Sequence, residues 1–501
     1  MSATSSSPPA GSAPLPDTAA AALVFFASGA VLVVELVALR LLAPYLGLTL
    51  ETNTLVIGLA LTAIAVGSWA GGNAADRVDP RRTLAPLLVV SGVVVAFTPW
   101  AVRGVAESDT SGLLVLTAGA AIVVPGTLLS AVTPMVTKLM LRDLGETGTI
   151  VGRLSGLGTA GSIVGTVLTG FVLITRVRVS VILVVLGAVC VLVGLALVLA
   201  HRRRGGPRAR GPLVGLVLVG VGGASAAIAP GGCDVETTYH CASVVEDGDG
   251  AVLMLDGLRH SWVDVDDPTH LEFAYTRAYA AVVDAELGPG PLRSHHLGAG
   301  GVTMPRWLEA TRPGSVATVA EIDGGVVALD REELGLRTGP DLQVRVQDGR
   351  LSLADLEPGR LDLLIGDAFG GVSVPWHLTT VEAMTSVDAS LAPDGVYVAN
   401  VIDHGALEFA RAAARTMREQ WPHVAALAAT GALEDGSGGN IVLVASHAPL
   451  DLEQQRRELS TRGLAWEVTA GTALDRFVRD APVLSDDFAP VDQLLTPYPT
   501  A

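Results

Sequence analysis

Cationic side chains are scarce in this 501-residue chain: 33 Lys and Arg stand against 50 Asp and Glu, for a formal net charge of -17. That balance disfavours nucleic acid as a partner and suits cationic ligands or plain solubility. Cysteine is nearly absent. Of the three present, Cys190 lies inside an apolar run, where it packs, whereas Cys233 and Cys241 are close enough in sequence to bridge. A bridge there fits an oxidising compartment; two reduced thiols at the start of a strand are the alternative. The opening stretch to Asp17 has no basic residue and is rich in Ser, Pro and Ala. Residues 1–19 are therefore expected to form a disordered tail, not a cleavable signal peptide.

Long stretches of the N-terminal half also lack charge. Apolar runs occupy 20–42, 55–71, 84–102, 113–129, 157–174, 179–200 and 213–229, against the roughly 20 apolar residues needed to cross a bilayer. These runs predict a multi-pass α-helical membrane domain of about seven helices over residues 20–230, embedded in a lipid bilayer, with the last helix marginal in length. Abundant Gly and Ala allow close helix approach, and Pro99, Pro125 and Pro134 are tolerable where neighbours satisfy the freed carbonyls. The Arg-rich loops include Arg77, Arg81 and Arg82, then Lys138, Arg142 and Arg153, then Arg202 to Arg210. The positive-inside rule puts these loops in the cytoplasm. If the seventh run crosses, the C-terminal half lies outside a cell membrane.

Two polar features interrupt the apolar half. Glu35 lies within the first run, where a carboxylate must face the bundle interior and pair, with Arg40 or Arg153 as candidates, or carry a proton. The stretch from Gly71 to Arg82 (GGNAADRVDPRR) resembles the cytoplasmic loop motif of major-facilitator transporters. The same residues also make a good tight loop.

From Val235 onward the periodicity shortens. Val235–Val245 and Ala251–Leu255 read as strands of a small β-unit with an Asp256-Gly257 turn, and Leu271–Leu287 as a helix, together filling residues 235–290. Residues 291–501 then offer strands at 315–322, 342–347, 361–366, 395–401, 424–429 and 441–445, after a first strand ending at Leu297. Strands alternating with helices predict a parallel α/β sheet covered on both faces, with the last pair suited to an antiparallel edge.

Ligands of such sheets bind at the strands' carboxyl ends. The first strand is followed by Gly298-Ala299-Gly300-Gly301, the second by Glu321-Ile322-Asp323, the third by Asp348-Gly349 and the fourth by Asp367-Ala368-Phe369. A glycine turn lets a ligand approach the backbone, and an acid can hold ribose hydroxyls. Together they predict a nucleoside pocket lined by carboxylates. No metal site is expected: adjacent His295 and His296 point to opposite faces of a strand and cannot easily share an ion. Trp307 and Trp376 either flank the pocket or pack.

On these residues, with Tyr239–Val245, Leu255-Asp256-Gly257, His270–Glu272 and Ser485–Asp492, the soluble half resembles the polyamine aminopropyltransferases, the spermidine synthase family. The whole chain resembles their membrane-fused bacterial relatives. The resemblance implies a small β-domain before a Rossmann-like, methyltransferase-type seven-stranded sheet. It also implies decarboxylated S-adenosylmethionine, or S-adenosylmethionine, as co-substrate, with no tightly bound cofactor and a putrescine-like amine as acceptor. Carried over by position, Glu321 would hold the ribose, Asp348 would receive the adenine amino group, and Asp367 would orient the attacking amine and take its proton. Gly298, Gly300, Asp323, Gly349 and Glu272 complete the expected nucleoside-binding set. Self-association into a homo-oligomer is left open.

The departures fall on the amine side. The family's Gly-Gly-Gly-Asp-Gly-Gly turn places its Asp at Gly301, and its Asp-Ser-Ser-Asp-Pro stretch places the second Asp at Gly370. Its Tyr-His-Glu reads His270-Leu271-Glu272, and the Gln after Tyr239 is His240. Burying an ammonium without a carboxylate is costly. Asp264, Asp266, Asp267 and Glu272 either replace the lost charge or form a solvated acidic loop. Aminopropyl transfer leads these readings. Methyl transfer from S-adenosylmethionine, and a non-catalytic transporter or sensor of polyamines or nucleosides, are the alternatives.

Overall fold

The computed structural model describes residues 16–46, 50–106, 111–141, 146–174, 176–203, 217–224, 233–298 and 300–496. They divide into two compact units, one made of Met1–Leu46 with Glu51–Gly232, the other mainly Cys233–Ala501.

The first unit is helical: α1 (Asp17–Leu46), α2 (Leu50–Arg77), α3 (Pro80–Ala106), α4 (Ser111–Ser130), α5 (Val132–Met140), α6 (Thr147–Leu168) and α7 (Val179–Arg203). Six segments among the described residues are long and apolar enough to cross a membrane, and α4 with α5 supplies one of them. They match the first six expected runs. Of the seventh, only 217–224 is described, as helix; the rest lies outside the described residues.

Small residues bring the helices together. A Cβ added at Gly29 of α1 would lie 2.8 Å from the Gly161 carbonyl oxygen of α6, a separation that only glycine permits. The Gly71–Arg82 stretch ends α2 and starts α3, where Asp79 Oδ1 accepts the Arg81 N–H at 3.1 Å and Asp76 pairs with Lys138 at 2.7 Å. Arg153, one expected partner of Glu35, pairs with Asp17 instead.

The second unit opens with an antiparallel sheet of β1 (Val235–Glu236), β2 (Cys241–Asp247), β3 (Gly250–Leu255) and β4 (Leu258–Val263), in that spatial order. Asp256 and Gly257 both have positive φ, 51° and 79°, as a two-residue hairpin requires. Cys233 and Cys241 form a disulfide at the unit's start. Helix α8 (Ala274–Glu286) follows, three residues shorter at its start than the apolar pattern suggests.

The large sheet contains β5 (Arg293–Leu297), β6 (Val316–Glu321), β7 (Leu342–Val346), β8 (Leu361–Gly366), β9 (Leu391–Asp403), β10 (His423–Ala429), β11 (Gly439–Ser446) and β12 (Trp466–Ala470). Their order is β12-β10-β11-β9-β8-β5-β6-β7. β5 to β9 are mutually parallel, and β10, β11 and β12 pair antiparallel. All seven expected strands are present, and β12 adds an eighth at the edge. Alternation along the central strands buries both faces: Leu363, Ile365, Val396 and Val398 pack with α8, while Leu364, Tyr397 and Ala399 pack with Phe409 and Met417 on the other side. Each buried Val, Leu, Ile, Phe or Met among them contributes about 1.5–3 kcal/mol by leaving water. The order reverses beside β5, so the tips of β5 and β8 open a crevice.

Candidate active site

Glycine allows the crevice to close at its base. Gly298 has φ 96°, and an added Cβ there would fall on the Asp367 carbonyl, so the tips of β5 and β8 meet backbone to backbone. The Leu297 carbonyl accepts the Asp367 N–H at 2.9 Å, which fixes the carboxylate's position. Beyond the turn, α9 (Thr303–Thr311) begins after Val302, whose φ of 52° is unusual for a β-branched residue.

A cavity of about 490 Å³ lies over these tips and is lined by Gly298, Gly300, Glu321, Asp348, Gly349 and Asp367. Its volume falls in the range typical of small-molecule sites. Glu321 ends β6 and accepts the Asp323 N–H at 2.8 Å. Asp348 caps α11 (Gly349–Ala354), with Oδ1 accepting from Arg350 and Leu351 at 2.8 and 3.1 Å, while its Oδ2 lies 3.2 Å from His377 Nε2. One carboxylate thus ends a helix and still faces the cavity.

The other two expected binding residues lie elsewhere. Asp323 is fully buried, bonded to Thr237 of the small β-unit and capping α10 (Gly324–Glu332) through the Gly325 N–H at 2.9 Å. It joins two substructures and does not line the cavity. Glu272 is half-exposed beside His270, and the Asp264–Asp267 segment closes on itself, with Asp264 Oδ1 accepting the Asp266 and Asp267 N–H groups. None of these acids lines the cavity.

Asp367 has the most shaped surroundings. Asn400 Nδ2 donates to its Oδ1 at 3.0 Å, and Asn440 Nδ2 donates in turn to Asn400 Oδ1 at 3.1 Å. The Tyr275 and Tyr279 hydroxyls both act on Asp367 electrostatically, and the wholly buried Tyr279 hydroxyl lies outside good hydrogen-bond geometry. Burial pushes the Asp367 carboxyl up to about 6, and the amide and phenol contacts limit the rise. Burial and the facing carboxylate also raise both tyrosines well above the ordinary phenol range.

Several site residues escaped the sequence reading: Tyr275, Tyr279, Asn400, Asn440, Arg259 and His260. A signal existed for two groups of them. Asn400 interrupts the apolar run Val396–Val401 and, once buried, must find a partner. Tyr275 and Tyr279 are spaced to share one face of α8. His295 is bonded to Thr318 and Ser352 in the sheet's interior, whereas His296, bonded to Ser294, also lines the cavity. Trp307 is buried in the core, whereas Trp376 is exposed.

The two glycines that stand where the resemblance implies acids differ structurally. A Cβ at Gly301, φ 67°, would strike Ser261 and come within 2.6 Å of Val263 Cγ2, so β4 fills that room. At Gly370 nothing lies within 4 Å of an added Cβ. The closing Ser485–Asp492 stretch ties down the far rim: Asp486 accepts from Thr380 at 2.7 Å and from Arg350 at 3.2 Å.

No family model matches the chain. Two curated proteins named polyamine aminopropyltransferase do match it. The one from Chromobacterium violaceum is 26% identical over 140 residues, 28% of this chain and 53% of that protein. The one from Vibrio vulnificus is 27% identical over 146 residues, 29% of this chain and 49% of that protein. The chain spans about half the length of these relatives. A solved structure described as a probable spermidine synthase, from Corynebacterium glutamicum, is 30% identical, covers 52% of this chain and 98% of its own length, and has a TM-score of 0.48. On these sequence relationships, the chain belongs to a spermidine synthase-like family.

Proposed function

We propose that the chain is a membrane-anchored transferase that moves an aminopropyl group from decarboxylated S-adenosylmethionine to an amine acceptor. The observation that carries this reading is the meeting of Gly298, Glu321, Asp348 and Asp367 around one cavity at consecutive parallel strand tips. Glu321 would hold the ribose hydroxyls, and Asp348 the adenine amino group. The acceptor nitrogen forms the new N–C bond with its lone pair. The S–C bond breaks, its electrons go to sulfur as methylthioadenosine leaves, and the nitrogen's proton passes to Asp367. A carboxyl raised to about 6 remains mostly ionised at neutral pH and is more basic than an exposed one. Asn400 holds it in place, so catalysis rests on alignment and proton acceptance.

Methyl transfer from S-adenosylmethionine is the second reading. It is favoured by Gly301, where β4 leaves no room for the acid that would hold an aminopropyl ammonium.

Anchoring rests on the six apolar helices, and an outward-facing second unit on the Arg-rich loops and the Cys233–Cys241 disulfide. The purified full chain, given decarboxylated S-adenosylmethionine and a panel of amines, should release methylthioadenosine. Methylated product from S-adenosylmethionine would select the second reading. Binding without turnover of either donor would leave a sensor or transporter.

A further inference from the structure

The cavity is chemically two-sided. Its acids are Glu321, Asp348 and Asp367, all at the tips of the large sheet. The wall supplied by the small β-unit has none: it is made of His240, Leu255, Leu258, Arg259 and His260. In the nucleoside reading above, on which this inference rests, the three acids are committed to ribose, adenine and the attacking amine. A second ammonium has no counter-ion on the described lining, because the room at Gly301 is filled by Ser261 and Val263 and Gly370 has no side chain. Burying an unpaired ammonium is unfavourable.

The same wall suits the opposite charge. Arg259 Nη2 donates to Asp247 at 2.8 Å, and the guanidinium lies 5.7 Å from the centroid of the Phe273 ring. Nε and Nη1 make no hydrogen bond among the described residues, and a guanidinium's planar fork matches a carboxylate. The Arg259–Asp247 pair is half-exposed on both sides, so it is weak and open to exchange. His240 is fixed by its Nδ1 contact to Asp256 at 2.8 Å, with both side chains about nine-tenths buried. His260, beside it at a ring separation of 6.2 Å, is held neutral by burial and offers a hydrogen bond without charge.

We propose that the arm of the cavity walled by β4 binds a carboxylate, gripped by Arg259 with His240 and His260 alongside, in place of the second ammonium of a diamine. The carboxylate has two sources, the methionine tail of intact S-adenosylmethionine or an acceptor that carries an acid at the end opposite its amine.

Calorimetric titration of the full chain in detergent separates them. Methylthioadenosine, which has neither charged end, is titrated first; if it does not bind, the nucleoside reading itself fails and takes this inference with it. One arm then compares S-adenosylmethionine with its decarboxylated form. The other, at saturating methylthioadenosine, compares 4-aminobutyrate with putrescine and butylamine. In at least one arm the carboxylate ligand should bind about tenfold more tightly than its carboxylate-free counterparts, as expected of a charge-assisted hydrogen bond. Arg259→Gln should erase that preference and Arg259→Lys keep part of it, both with unchanged methylthioadenosine affinity, which also shows that the variants fold. Equal or tighter binding of putrescine and the decarboxylated donor, or a preference that survives Arg259→Gln, overturns the proposal.

Discussion

Asn400 donates its side-chain amide to the carboxylate of Asp367 at 3.0 Å from within the buried, otherwise apolar run Val396–Val401 of β9. A hydrogen bond to a charged group in such a place is worth about 1.5–3 kcal/mol. It favours the ionised carboxylate and opposes the burial that raises it.

Asp367 must be ionised to accept the amine's proton, so kcat/KM should rise with pH through about 6. Asn400→Leu removes a contact that lowers the carboxyl's pKa, and the rise should move upward by roughly 1–2 pH units. Asp367→Asn should cut turnover by about 10²–10⁴-fold and spare methylthioadenosine binding. A pH profile unaltered in Asn400→Leu removes the amide from this role.

Asp330 offers a test in stability. It is fully buried on α10 with neither carboxylate oxygen in a good hydrogen bond, and burial lifts it to about 7 despite Arg306 nearby. The folded protein therefore holds this proton more tightly than the unfolded chain does. Its stabilising effect is complete below about pH 4 and declines as pH rises towards 7. Asp330→Asn should flatten that decline, with a melting temperature that gains on the parent more at pH 8 than at pH 5. Parallel melting curves across this range would contradict the assignment.

Gly301 and Gly370, where the family resemblance implies acids, should respond differently. Gly370→Asp meets open space and should change stability by no more than about 0.5 kcal/mol. Gly301→Asp must adopt φ 67° and displace Ser261 and Val263, at a cost on the order of 1–3 kcal/mol. Thermal melts of the two variants should separate clearly, and equal melting would show that β4 yields.

The disulfide predicts a topology. In intact cells Cys233 and Cys241 should resist a membrane-impermeant maleimide until a reductant is added, and then label from outside. Labelling without reductant, or only after lysis, would place the second unit in the cytoplasm or leave the pair reduced.

The architecture was legible wherever a pattern was long and local. The first six apolar runs became helices, and the seven expected strands appear with an antiparallel end, because both patterns follow from burial alone. β12 escaped because Trp466–Ala470 is a short, half-buried edge strand in a mixed sequence. In the site, the strand-tip acids were readable as residue types but not as orientations. Asp323 turns inward to Thr237 while Glu321, two residues earlier, lines the cavity, and that choice depends on a partner 86 residues away in sequence. Arg259 and His260 come from a different sheet, so only tertiary structure brings them to the site.

A structure of the full chain with methylthioadenosine would show whether the β5 to β8 tips cradle an adenosine-bearing ligand. Density is expected in the cavity, with the ribose on Glu321, the adenine beside Asp348 and the sulfur near Asp367. A ligand bound elsewhere, or none bound at saturating concentration, would contradict that reading.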